Sequence, residues 1–290
     1  MAKPPIIPCE LLPEVKKKIQ AYAEELTEKA YTVGSHGLTK EEFQDSGIFR
    51  GAVERLRGKQ SASMTIKKDF IAEVLSFMQA SKKIKSWEFT GSGERHDYQI
   101  EMPDGRISII ETKGCLDGNN TIIYERPPNA DEFIIWSLCQ NPGADPRHNA
   151  WSGIHTRLGA DIIHRKQKVD GLIIWDMVCG TTGRPCPKVS ASIERVTKMT
   201  ARKVPPPCIY LFPRSIPDPR SNPTPPVWEI GEVKFLKALL DTFSGENSDI
   251  IEVHIHARMR ETDIQRKTFF FCLGDQLAES RWTTIKRANG

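Results

Sequence analysis

Apolar residues recur at helical spacing, with charges between them, from Leu11 to Ala30, and Pro13 sits where a first helical turn tolerates proline. A second helix is expected from Thr39 through Arg57, opened by the capping pair Thr39 and Glu42. The clearest helix runs from Thr65 to Ser81, where Ile66, Phe70, Val74, Phe77 and Met78 form one apolar stripe. The pattern then shortens. Trp87–Thr90, Tyr98–Met102, Ile107–Thr112 and Thr121–Arg126 read as strands. Asp131–Cys139 is apolar without a period, so strand and helix both remain open there. A helix from about Gly153 to Lys168 leads into Val169–Asp176, the continuous apolar run of a strand buried on both faces, and Ile209–Phe212 adds another strand. Arg214–Val227 contains five prolines and no period, which marks a loop or linker. A helix (Gly231–Phe243) and two strands (Ile250–Ala257, Lys267–Leu273) follow. That tail is too small to fold alone and is expected to pack on the chain before it.

Between Glu94 and Lys113 the pattern becomes specific. Pro103, Asp104 and Gly105 separate two strand-like runs. Proline fixes φ at the second turn position, aspartate tolerates the third, and glycine takes the left-handed conformation that closes a three-residue hairpin loop. Counting outward from that loop pairs Met102 with Arg106, Gln99 with Ile109, and Asp97 with Glu111. Side chains alternate along a strand, so Lys113 shares a face with Glu111. Two carboxylates and an ammonium converge, with Glu94 at the rim of the acidic cluster. A two-residue turn would instead send Asp97 to the opposite face.

Composition changes this picture little. Of 290 residues, 39% are hydrophobic and 27% charged, which is ordinary for a soluble globular chain with a sizeable core. No run approaches the roughly 18 apolar residues of a membrane span, and Met1–Cys9 lacks a secretory core, so a cytoplasmic protein with no membrane partner is expected. Seven cysteines with no C-x-x-C pair read as reduced thiols. The net charge of +4 announces no partner, but between Arg184 and Lys203 six basic residues (Arg184, Lys188, Arg195, Lys198, Arg202, Lys203) face one acidic residue, Glu194. Such a window suits phosphate contacts, or a solvated basic face. Dinucleotide-binding, Walker and nucleophile-elbow motifs are absent.

An aspartate followed on the next strand by Glu-x-Lys resembles the active-site pattern of the PD-(D/E)xK nuclease superfamily, with His96 standing where its nominal proline would be. The order helix, three strands, helix, strand over residues 65–213 is similar to that family's core. The resemblance implies an α/β fold with a restriction-endonuclease-like core, a mixed central sheet flanked by helices. Around it would lie an N-terminal helical segment (1–64), a Pro-rich loop (214–227) and a C-terminal α/β extension (228–290). It implies Asp97, Glu111 and Lys113 as catalytic residues. Mg²⁺, or Mn²⁺ in its place, would be held by Asp97, Glu111 and the backbone carbonyl of Thr112, with Glu73 or Glu94 as further ligands. The size is closest to type II restriction endonucleases. That implies sequence-specific cleavage of double-stranded DNA by a homodimer, the basic window on the DNA, and a cognate DNA methyltransferase. A repair or recombination nuclease of the same superfamily is one alternative. Another is a non-cleaving nucleic-acid-binding protein in which Asp97, Glu111 and Lys113 form only an ion pair, because Glu-x-Lys also occurs at Glu14–Lys16 and Glu232–Lys234.

Overall fold

The computed structural model describes residues 13–60, 64–91, 96–113, 126–138, 154, 157–175, 195–200 and 202–285. Four helices lead the chain: α1 (Pro13–Lys29), α2 (Lys40–Ser46), α3 (Ile48–Gln60) and α4 (Met64–Ala80). The expected capping box is present, with the Thr39 side chain on the Glu42 N–H and the Glu42 side chain on the Thr39 N–H. The helix it opens is shorter than expected. Gly47 takes φ +69°, a left-handed turn that glycine adopts without strain, and splits the expected helix into α2 and α3.

One mixed sheet dominates the rest. Its strands are β1 (Ser86–Phe89), β2 (Tyr98–Glu101), β3 (Ile107–Lys113), β4 (Glu132–Ser137) and β5 (Gly171–Ile174), continued by β8 (Cys208–Leu211), β9 (Ile250–Arg260), β10 (Asp263–Cys272), β11 (Asp275–Glu279) and β12 (Thr283–Thr284). The spatial order is β1-β2-β3-β4-β5-β8-β9-β10-β11, with β12 on β10. The first three strands are an antiparallel meander. The β3–β4 and β4–β5 pairs are parallel, β8 runs antiparallel to β5, and β9 is parallel to β8. Thus the apolar run within Asp131–Cys139 forms a strand at Glu132–Ser137, inserted between β3 and β5. It is buried at every position, which is why its sequence carries no period. Part of the basic window forms a separate two-stranded ribbon, β6 (Thr197–Met199) with β7 (Arg202–Val204). The Pro-rich stretch contributes only isolated bridges, Pro213 to Val227 and Asp218 to Asn222. The expected strand Thr121–Arg126 falls almost wholly outside the described residues.

Both faces of the sheet are covered. On one, α4 (Phe70, Val74, Met78) and α6 (Lys234–Thr242) pack on Tyr98, Ile100, Ile110, Ile134 and Trp136. There Trp136 stacks on Trp175 at 5.9 Å, and Phe243 meets Trp175 edge-on at 4.6 Å. On the other, Ile154, Leu158 and α5 (Gly159–Arg165) join Ile109, Phe133, Ile135 and Leu172, together with Val253, Ile255 and Phe270 from β9 and β10. Each such side chain contributes about 1.5–3 kcal/mol on burial. Gly171 lets α6 approach β5, because a Cβ there would lie 2.5 Å from Leu236 Cδ1 and 3.0 Å from the Tyr210 carbonyl. No helix among the described residues is long and apolar enough to cross a membrane.

Candidate active site

The hairpin closes as its turn chemistry dictates. Gly105 has φ +87° and its N–H donates to the Met102 carbonyl at 3.0 Å, while Met102 N–H donates to Arg106 at 2.8 Å. The ladder pairs Glu101 with Ile107, Gln99 with Ile109 and Tyr98 with Ile110. One residue further, Asp97 comes level with Glu111, in the expected register. The regular ladder ends there: the Asp97 N–H donates to the Ile110 carbonyl at 3.0 Å.

That ending positions the Asp97 side chain. Backbone polar groups on a strand point alternately to its two neighbours. The Lys113 carbonyl accepts from the N–H of Leu138, just past β4, at 2.9 Å, so the amide and carbonyl of Thr112 face the β2 side. With β2 already ended, the Thr112 N–H takes Asp97 Oδ2 as its acceptor at 2.7 Å, and the Thr112 hydroxyl donates to the same oxygen. Asp97 is therefore tied to β3 at the residue between Glu111 and Lys113.

Glu111 lies deeper. Its relative exposure is 5%, it sits opposite Ile135 on β4, and its carboxylate receives the Lys113 ammonium. Burial is the largest influence on this carboxyl and raises its pKa; the hydrogen bond and charge of Lys113 pull it down, and the charge of Asp97 pushes it up again. The Glu111–Lys113 pair is no exposed surface bridge of the kind worth only about 0.2–1 kcal/mol. Each member is held by packing around it.

The other expected residues are distributed differently. Glu73, part-buried on α4, lines a recess of about 530 Å³ with Asp69, Ser76 and Thr200. Asp69, one turn earlier on the same helix, is the α4 acid that β2 feels: after burial, the charges of Asp97 and Asp69 push the Tyr98 phenol up to about 12. Its one-turn spacing from Glu73 was the sequence signal for it. Glu94, Arg184 and Lys188 lie outside the described residues, as does the side chain of Arg202. Arg195 is held in ion pairs with Asp249 at 2.8 Å and Glu246 at 3.4 Å. Lys198 and Lys203 are exposed on the β6–β7 ribbon.

A recess of about 620 Å³ is lined by Glu88, Thr90, His96, Gln99, Pro127 and Asn129. A larger cavity, about 860 Å³, lies among His164, Lys166, Asp218, Arg220, Asp263 and Thr284 and includes none of Asp97, Glu111 and Lys113. The smaller recess is likewise lined by none of the three, so the chemistry of the residues rather than a cavity singles them out.

Magnesium takes hard oxygen donors in an octahedron and keeps several waters, so two carboxylates and a carbonyl suffice from a protein. Asp97 and Glu111 with the Thr112 carbonyl would supply donors of that kind. Among the described residues no three His, Cys, Asp or Glu side chains gather into a ready cation cage. A buried carboxyl whose ionisation burial opposes gains more from a nearby cation than an exposed one does. The residues fit the ion.

Comparison of the chain with protein-family models, with curated proteins and with solved structures gives no match.

Proposed function

We propose that the protein is a Mg²⁺-dependent endonuclease of the PD-(D/E)xK type that hydrolyses double-stranded DNA at specific sequences, in the manner of a type II restriction enzyme. The observation that carries this reading is the hairpin register, which brings Asp97 level with Glu111 and ties its carboxylate to Thr112, between Glu111 and Lys113. The mixed α/β sheet with β2 antiparallel to its neighbours and helices on both faces supports it.

Phosphodiester hydrolysis requires water to attack phosphorus in line with the departing 3′ oxygen, which leaves with a proton. Bound Mg²⁺ supplies charge neutralisation at the phosphate and lowers the pKa of water. Asp97, Glu111 and the Thr112 carbonyl would hold it. Lys113 carries the remaining task. Its ammonium, kept near the phosphate by Glu111, orients the attacking water and stabilises the negative charge that builds on the phosphoryl oxygens. The burial of Glu111 keeps competing water from that pair.

Unmethylated phage DNA incubated with Mg²⁺ and the wild type should give discrete bands. Asp97→Ala and Lys113→Ala should each slow cleavage by roughly a hundredfold or more. A smear would indicate cutting without sequence preference. Binding with no nick or cut, across many sequences and with both Mg²⁺ and Mn²⁺, would favour the non-cleaving alternative, in which the same bonds serve only to fasten the hairpin.

A further inference from the structure

Helix α1 carries a sequence made for a partner. Val15, Ile19, Tyr22 and Leu26 follow one another at spacings of four, three and four, the seam of a helix that pairs with another helix. In the structure this seam is open. No residue of α1 is buried, and Ile19, Tyr22 and Leu26 are 39%, 64% and 47% exposed. A helix that only solvated itself would have no use for a row of large apolar residues.

The charges identify the partner. Lys16, Lys17 and Lys18 occupy the N-terminal half of the helix, and Glu24, Glu25 and Glu28 the C-terminal half. The end turns themselves carry Glu14 and Lys29, which suit the helix dipole, so the basic and acidic halves between them are a feature of the helix surface. That division is matched if a second α1 lies antiparallel against the first. Each basic half then meets an acidic half, and the two dipoles also oppose. A parallel pair would stack lysine on lysine. A surface complementary to its own two-fold image is what an isologous dimer requires.

We propose that α1 pairs antiparallel with α1 of a second copy of this chain. In the register that matches all four seam positions, Val15 of one copy packs on Leu26 of the other and Ile19 on Tyr22. Lys18 and Glu25 then flank the seam on the same side, so each interface gains two Lys18–Glu25 pairs. Glu25 already bonds Lys29 within its own helix, an exposed contact that leaves it at the surface. This pairing rests on helix periodicity and charge, and is independent of whether the protein cleaves DNA.

Analytical ultracentrifugation of the full chain, from nanomolar to high micromolar concentration, should show a monomer–dimer equilibrium. Ile19→Asp and Leu26→Asp should be monomeric while keeping the wild-type circular dichroism and the melting temperature that the wild type has at concentrations where it is monomeric, because both positions are exposed. Lys18→Glu and Glu25→Lys should each weaken the dimer roughly tenfold, since two attractive pairs become repulsive. An equimolar mixture of these two single variants should associate as tightly as wild type, because only the mixed dimer restores both pairs. A wild type that stays monomeric overturns the proposal. So does a dimer indifferent to Ile19→Asp and Leu26→Asp, or a mixture that associates no better than either variant alone.

Discussion

Glu111 holds its proton more tightly in the folded protein than in the unfolded chain, because burial outweighs the help of Lys113 and the charge of Asp97 adds to it. The stability this contributes is complete below the ordinary glutamate pKa and is lost as pH rises through the higher folded value. A cation bound by ionised Glu111 competes with the proton and offsets that loss. The stabilisation by Mg²⁺ should therefore be small in acid and grow as pH rises through the folded pKa of Glu111. It would reach about 2.7 kcal/mol at a hundred times the dissociation constant. Differential scanning calorimetry at a series of pH values tests this. A Mg²⁺ shift independent of pH, or one retained in Glu111→Gln, would remove Glu111 from the ion. At this scale the sequence showed a good deal. Pro103-Asp104-Gly105 set the register because turn chemistry is local. The bond from Thr112 N–H to Asp97 was hidden, since it arises where β2 stops and leaves an amide without a strand partner. The depth of Glu111 was hidden too, because the walls around it come from β4 and its neighbours far along the chain.

The elements that cover the sheet are joined to it by buried polar side chains. Val233 precedes α6 without a side-chain cap, and the open amides of Lys234 and Phe235 instead donate to Glu132, the first residue of β4. Ser108 on β3 donates to the same carboxylate at 2.7 Å. Glu132 is buried, and burial is what raises its pKa against the pull of these bonds. Glu132→Ala leaves two helix amides and a hydroxyl without their acceptor, and should cost about 2–3 kcal/mol in urea unfolding. Ser108→Ala, which removes one neutral donor, should cost about 1 kcal/mol. A Glu132→Ala loss below about 0.5 kcal/mol would mean that packing alone holds α6. The long, regular elements were legible: α4, the hairpin strands and β5 sit where their patterns put them. What escaped was set by distant partners. β4 has no period because both faces of the sheet are covered there, Phe133 and Ile135 entering one core and Ile134 and Trp136 the other, and the cap of α6 stands 102 residues before the helix.

Across the whole molecule the two ends of the chain behave oppositely. Of residues 13–56, only Ala30 and Phe43 are buried, although the α1 stripe reads in sequence like any core-facing helix. The C-terminal tail is built into both cores. Phe235, Leu236, Leu239, Leu240 and Phe243 enter one, Ile251, Val253, Ile255 and Phe270 the other, and β9 pairs directly with β8. At about 1.5–3 kcal/mol for each large side chain, removing the tail forfeits more than the 5–15 kcal/mol that keeps a typical domain folded. A chain beginning at Met64 should remain soluble and unfold in one transition, within about 1 kcal/mol of the full chain under monomeric conditions. A chain ending at Val227 should aggregate or lack cooperative unfolding. Urea titrations followed by circular dichroism and tryptophan fluorescence distinguish the two, because Trp136 and Trp175 report directly on the core between sheet, α4 and α6. Cooperative unfolding of the chain ending at Val227 would make the first strands and α4 a self-sufficient unit, with β9–β12 an appendage. Collapse of the chain beginning at Met64 would mean that the N-terminal helices support the sheet rather than reach away from it.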